Sequence, residues 1–165
     1  MSETLPTPGG RTVLEQTTVS KDDEWWTVVV RDRDPRTGQV RLRLERLVLD
    51  ATEGWKLVHS WRVRPEFWEE EVRAVARFQN GAGTTSAPPT PTDPDLDVTR
   101  YLRVRKDDTR WVAVVRVERP YSYPCTRLYH WHLPEGTTRQ KWTVGRDWSR
   151  ASDIASRQGD RLLTA

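Results

Sequence analysis

Lys21-Asp22-Asp23-Glu24-Trp25-Trp26-Thr27-Val28-Val29-Val30-Arg31 returns later in the chain as Lys106-Asp107-Asp108-Thr109-Arg110-Trp111-Val112-Ala113-Val114-Val115-Arg116, and seven of the eleven positions are identical. A self-match of this kind resets the whole fold reading, so it comes before any element. The series continues in order: Glu53-Gly54 answers Glu135-Gly136, Trp61-x-Val63 answers Trp142-x-Val144, and Trp68 answers Trp148. The chain reads as one unit written twice.

Between the copies lies GAGTTSAPPTPTDPDLD, residues 81–97, which holds four prolines and no large hydrophobe except Leu96. Such a segment cannot build a core and reads as a semi-extended tether. Residues 1–10 and 159–165 read as loose termini.

Within the first copy, Thr12–Ser20 is β-rich, KDDE is a polar turn, Trp25–Arg33 is a strand, and Asp34-Pro35-Arg36-Thr37-Gly38 is a reverse turn. Val40, Leu42 and Leu44 alternate with Arg41, Arg43 and Glu45, as a half-buried antiparallel strand requires. The alternation slips at Arg46 and resumes at Leu47 and Leu49, which predicts a β-bulge. A fourth strand, Trp55–Val63, runs into Pro65-Glu66, a helix start. Trp68, Val72, Val75 and Ala76 then recur at helical spacing up to Gly81. The second copy repeats the order as Val98–Arg105, Trp111–Arg119, Arg127–Leu133, Gln140–Val144 and a helix from Arg146 to about Gln158, with Trp148, Ala151 and Ala155 inward. The expected fold is α+β: two tandem β-β-β-β-α units, 11–80 and 98–158, with curved antiparallel sheets.

The whole chain has 165 residues, with 27 basic against 24 acidic side chains, a net charge of +3 and a mean hydropathy of −0.80. The longest apolar run, around Trp25 to Val30, is far below the roughly 18 residues of a membrane span. The start, MSETLPTPGG, has no basic residue and no apolar stretch, so a cytoplasmic location is expected. Cys125 is alone, which excludes an intrachain disulfide and a cysteine zinc cluster. Packing falls instead on nine tryptophans, against one Met and two Phe. Four of the basic residues are lysines and the other 23 are arginines. Arginine suits planar phosphate recognition, although a GC-rich coding sequence produces the same bias.

Catalytic patterns are thin. Asp22-Asp23 and Asp107-Asp108 sit after Lys in hairpin turns and read as turn-forming residues rather than acid–base or Mg²⁺ pairs. His130, His132 and His59 lack a carboxylate or cysteine at ligand spacing, so no metal and no cofactor is expected. No Gly-rich phosphate loop or GxSxG occurs, and Cys125 beside Pro124 has no evident base, so the chain reads as a non-enzyme.

Trp61-Arg62-Val63-Arg64-Pro65-Glu66-Phe67-Trp68 resembles the strand-to-helix junction of the Whirly and positive-cofactor-four type single-stranded-DNA-binding transcriptional coactivators. Tyr129-His130-Trp131-His132-Leu133-Pro134-Glu135-Gly136 resembles their third strand and following turn. The resemblance implies single-stranded nucleic acid, DNA or RNA, as partner. Because those proteins are homodimers of one unit, it also implies a pseudo-two-fold, dimer-like arrangement within this one chain. A transcription or replication protein is a further expected partner, and additional self-association is compatible with the pattern. His59-Ser60 stand where the family has a basic-glycine pair, and about Val48 stands where it has the stacking aromatic.

Residues 1–80 carry 13 basic and 14 acidic side chains, whereas 98–165 carry 14 and 7. The main nucleic-acid contact is therefore expected on the second copy. The candidate rings are Trp131, Tyr129 and Trp111, and the candidate phosphate contacts are Arg127, Arg103, Arg105, Arg116 and Arg139, with Arg41 and Arg43, beside Arg31 and Arg33, on the first copy. Trp61, Trp68, Trp142 and Trp148 are assigned to the core. A rival reading from another class is a protein-interaction module that regulates RNA polymerase or another nucleic-acid machine.

Overall fold

In the computed structural model, residues 4–85, 97–118, 124–133 and 137–164 are described, the side chains of 137 and 161–164 excepted. A 3-10 turn, Pro8–Gly10, precedes β1 (Thr12–Lys21), β2 (Trp25–Arg33), β3 (Val40–Asp50), β4 (Gly54–Val63) and α1 (Pro65–Gln79). The order repeats as β5 (Asp97–Lys106), β6 (Arg110–Glu118), β7 (Cys125–His132), β8 (Thr137–Val144) and α2 (Trp148–Thr164). Two four-stranded antiparallel meanders result, β1-β2-β3-β4 and β5-β6-β7-β8, so the class is α+β. Most of the 81–97 tether (86–96) and the Pro134-Glu135-Gly136 turn fall outside the described residues.

The repeat is carried into the hydrogen-bond register. Thr12 opposes Arg33 and Lys21 opposes Trp26 in the first sheet, and Asp97 opposes Glu118 and Lys106 opposes Trp111 in the second. Register shifts at Val13/Glu15 and Thr18/Ser20 recur at Val98/Arg100 and Arg103/Arg105. A third shift, at Arg46/Leu47, recurs at His130/Trp131. This is the irregularity expected at Arg46, but the extra residue is on the partner strand: Val58 on β4 and, equivalently, Arg139 on β8. Trp131 opposes Trp111 as Leu47 opposes Trp26, so the counterpart of Trp131 is Leu47 rather than Val48.

Each hairpin at a Lys-Asp-Asp turn closes on its first aspartate. Asp22 Oδ1 accepts the amides of Glu24 and Trp25, and Asp107 Oδ1 accepts those of Thr109 and Arg110. These backbone bonds pull both carboxyls below the ordinary aspartate value. A carboxyl so lowered stabilises the fold above its unfolded pKa, and the contribution is lost as pH falls through the lower folded value. In urea unfolding, the stability gap between wild type and Asp107→Ala is expected to hold between about pH 7 and 5 and to close below about pH 4. A gap independent of pH would mean the turn does not depend on the ionised carboxylate.

The compact units are not the consecutive segments 11–80 and 98–158. One comprises Met1–Trp68 with Asp147–Ala165, and the other Glu69–Arg146. The first sheet is thus packed by α2, which touches β1, β2 and β3. Gln158 Nε2 donates to Thr17 Oγ1 at 2.9 Å, Arg46 pairs with Asp147 at 3.5 Å, and Trp68 donates through its indole to Ser156 at 3.0 Å. In the other unit α1 lies against β5, where Arg105 pairs with the buried Glu71 at 2.8 Å and Arg100 covers the Phe78 ring at 3.9 Å. The inner stripe of α1 is Trp68, Glu71, Ala74, Val75 and Phe78, while Ala76, expected inward, is exposed. Trp61, Trp68, Trp142 and Trp148 are buried.

The described parts of the two terminal segments, residues 4–10 and 159–164, are part of the fold rather than loose. Leu5 is 3% exposed and packs with Trp26, Val28, Val30 and Leu47. Arg11, also buried, donates to Asp32 and Glu45, both 0% exposed, and to the Pro6 carbonyl at 2.8 Å. Burial alone would lower the Arg11 pKa, but the bonds and charges of Glu45 and then Asp32 together raise it. Arg11 thereby fastens residues 5–11 across one face of the first sheet. At the other end α2 runs on to Thr164, because nothing after Gln158 breaks a helix except Gly159, which a helix interior tolerates at a cost of about 1 kcal/mol.

Candidate nucleic-acid interface

The three rings expected to form the stacking platform are sealed in the second unit's core. Trp131 and Tyr129 are 0% exposed and Trp111 2%. Trp131 stacks on Tyr129 with centroids 5.2 Å apart and lies 4.8 Å from Trp111. Each ring spends its face on another ring, so none offers a base the open surface that stacking requires. Period-two counting puts Arg127, Tyr129 and Trp131 on one face of β7, but it cannot say whether that face meets water.

The arginines divide similarly. Arg105 is held by Glu71, with Glu70 3.7 Å away, and is a structural ion pair. Arg127 donates to the Tyr129 hydroxyl at 3.0 Å, and Arg116 is half-buried. Arg103 and Arg139 are exposed. On the first unit Arg41 donates to Asp32 at 2.9 Å and reaches Asp34 at 3.4 Å, and Arg43 lies 3.8 Å from Asp32.

The residues that come together as an open cationic site are in the first unit, where β2, β3 and β4 end side by side. A cleft of about 580 Å³ there is lined by Arg31, Arg41, Arg62 and Arg64, with Glu66 as its one lining carboxylate. Arg31 and Arg41 are drawn toward Glu15 and Asp32. Arg62 and Arg64 line the cleft from the end of β4. Burial, then the positive charges of Arg64, Arg43 and Arg41, pull the Arg62 guanidinium below its ordinary value. Arg43 is lowered by burial and then by Arg41. Guanidinium groups stay protonated at such values, so the crowding is stored as positive potential that an anion would relieve. Of these residues only Arg41, with Arg31 in support, was singled out in the sequence. Arg62 and Arg64 are two apart at the end of an edge strand, a signal that was present and read only as part of a junction.

Among the described residues, the most exposed tryptophans are on the first unit. Trp25 is 42% exposed and Trp55 is half-buried. The Lys21 ammonium lies 5.4 Å from the Trp55 ring and 4.9 Å from that of Trp26. Seven strand positions separate Trp55 from Arg62, about 23 Å at the usual rise, so rings and cations lie at opposite ends of one sheet. Among the described residues no group of three or more His, Cys, Asp or Glu is placed to hold a metal ion, and no helix is long and apolar enough to cross a membrane.

The chain matches no family model, no curated protein and no solved structure. Its reading therefore rests on the register of the repeat and the chemistry of the cleft.

Proposed function

We infer that this chain is a non-enzymatic single-stranded nucleic-acid-binding protein, acting on DNA in transcription or DNA maintenance, with its phosphate-binding site on the first unit. In this reading the two sheet-bearing units form the Whirly-like, pseudo-dimeric arrangement that the tandem repeat suggests. The observation that carries it is the four-arginine cleft at the end of the first sheet. A phosphate entering there gains charge-assisted, bidentate hydrogen bonds from planar guanidinium groups. Bases of the same strand would stack on Trp25 and Trp55, which replace the buried Trp131 and Tyr129 as the aromatic contacts.

The test is titration of a fluorescein-labelled oligo-dT at 50 and 200 mM salt. Four phosphate contacts on a single strand give a slope near −2.8, so affinity is expected to fall about 50-fold across that range. The Arg62→Ala/Arg64→Ala double variant removes two contacts and is expected to halve the slope, leaving a loss of roughly 7-fold. Arg157→Ala, which removes one positive charge from the exposed Arg157–Asp153 pair on α2, serves as a charge-change control. No binding at either salt would discard the proposal.

Trp25 at 42% and Leu49 at 45% exposure favour a second reading, in which this end of the first sheet meets a partner protein. That reading expects no oligonucleotide affinity at all.

A further inference from the structure

The two copies differ at one strand position in a way that opens a site in the second. In the first unit the Trp26 indole donates to Thr18 Oγ1 at 3.0 Å. Thr18 opposes Val28, as Arg103 opposes Ala113, so Arg103 occupies the position of Thr18. Trp111, the counterpart of Trp26, is 2% exposed, and its Nε1–H has no hydrogen-bond partner among the described residues. Arginine carries donors only and cannot accept that proton. An unpaired buried N–H is costly, and it is retained here beside a cleft.

That cleft, of about 410 Å³, is lined by Gly83, Thr84, Tyr101, Arg103, Lys106 and Trp111. Thr84 pairs with Tyr101 in an isolated bridge, and a side chain at Gly83 would come within 2.7 Å of the Tyr101 carbonyl oxygen, so only glycine allows this wall to close. Tyr101 meets Trp111 edge to face at 6.2 Å. Arg103 and Lys106 are exposed and, being long, can swing to admit a ligand. The site thus combines the Tyr101 ring, two cations and, at the Trp111 edge, one buried donor that needs an acceptor oxygen.

We propose that this cleft of the second unit binds a nucleotide: a base carbonyl accepts the Trp111 N–H while the phosphate sits between Arg103 and Lys106. The nucleotide could be free or part of a bound strand, and in the latter case the inference rests on the function proposed above. The probes are dTMP, inorganic phosphate and oligo-dT, read by the ¹⁵N-labelled indole resonances, with that of Trp111 assigned through Trp111→Phe. Addition of dTMP or oligo-dT is expected to shift the Trp111 N–H, and inorganic phosphate alone is not. Arg103→Thr restores the acceptor of the first copy, so its Trp111 resonance should already be displaced in the free protein, with dTMP affinity about tenfold weaker or worse.

A shift with dTMP identifies a free nucleotide as sufficient, and a shift with oligo-dT alone identifies a strand. Oligo-dT that binds by anisotropy while the Trp111 resonance stays fixed overturns this site and leaves the function standing. A dTMP response without oligo-dT binding does the reverse. A phosphate response equal to that of dTMP overturns base recognition.

Discussion

Trp131→Ala is expected to lower stability by about 3–5 kcal/mol, the cost of emptying a large aromatic site in a core that cannot fully collapse. For a chain of this length that corresponds to a fall in melting temperature of roughly 6–20 °C. The reason is geometric. Trp131 is 0% exposed, parallel to Tyr129 and within 4.8 Å of Trp111, so its removal unstacks two neighbours as well. Trp131→Phe should recover much of the loss, because a ring still fills the layer. Differential scanning calorimetry of the three proteins, with the oligo-dT titration alongside, separates core from platform. An alanine variant that melts like wild type but no longer binds oligo-dT would return Trp131 to the binding surface.

Arg11→Ala should cost a similar amount, about 3–5 kcal/mol, because it strands carboxylates that water does not reach. Glu45 and Asp32 are 0% exposed; Arg41 still reaches Asp32 at 2.9 Å, so Glu45 bears most of the loss. The Pro6 carbonyl loses its donor at the same time, which releases the segment carrying Leu5. Arg11→Lys should not rescue, since one ammonium cannot replace the fork that spans Asp32, Glu45 and Pro6. Adding Glu45→Gln to Arg11→Ala should recover part of the stability by removing the stranded charge. Urea unfolding measures all three, and a cost below about 1 kcal/mol for Arg11→Ala would mean that residues 5–11 are not held by this cluster.

The two predictions concern the same sheet face in the two copies, solved by different chemistry. Glu45 opposes Val28 as Tyr129 opposes Ala113, and Asp32 is matched by Val117. Where the first copy closes its face with an arginine and two carboxylates, the second closes it with stacked rings. Charge counting assigned the binding surface to the second copy because that half is more basic. Net charge does not say where cations gather: Arg105 is drawn to the buried Glu71, while four arginines line one cleft at the end of the first sheet.

From the amino-acid order alone the duplication, the eight strands, the two helices and the turn aspartates were legible, because each depends on spacing along the chain. Period-two alternation marks a strand, Pro65-Glu66 starts a helix, and an aspartate side chain reaches an amide two or three residues on. What only the tertiary structure decided was which surface covers which. Helical periodicity says that α1 and α2 each have a face to bury but not which sheet receives it, and here each sheet is packed by the helix that follows the other. Alternation likewise gives a strand two faces without saying which is dry, so Trp131 could be placed with Tyr129 but not placed inside. Burial is a property of what lies opposite in space, and neither Leu5 nor Arg11 carries a local mark that it will lie across a sheet face.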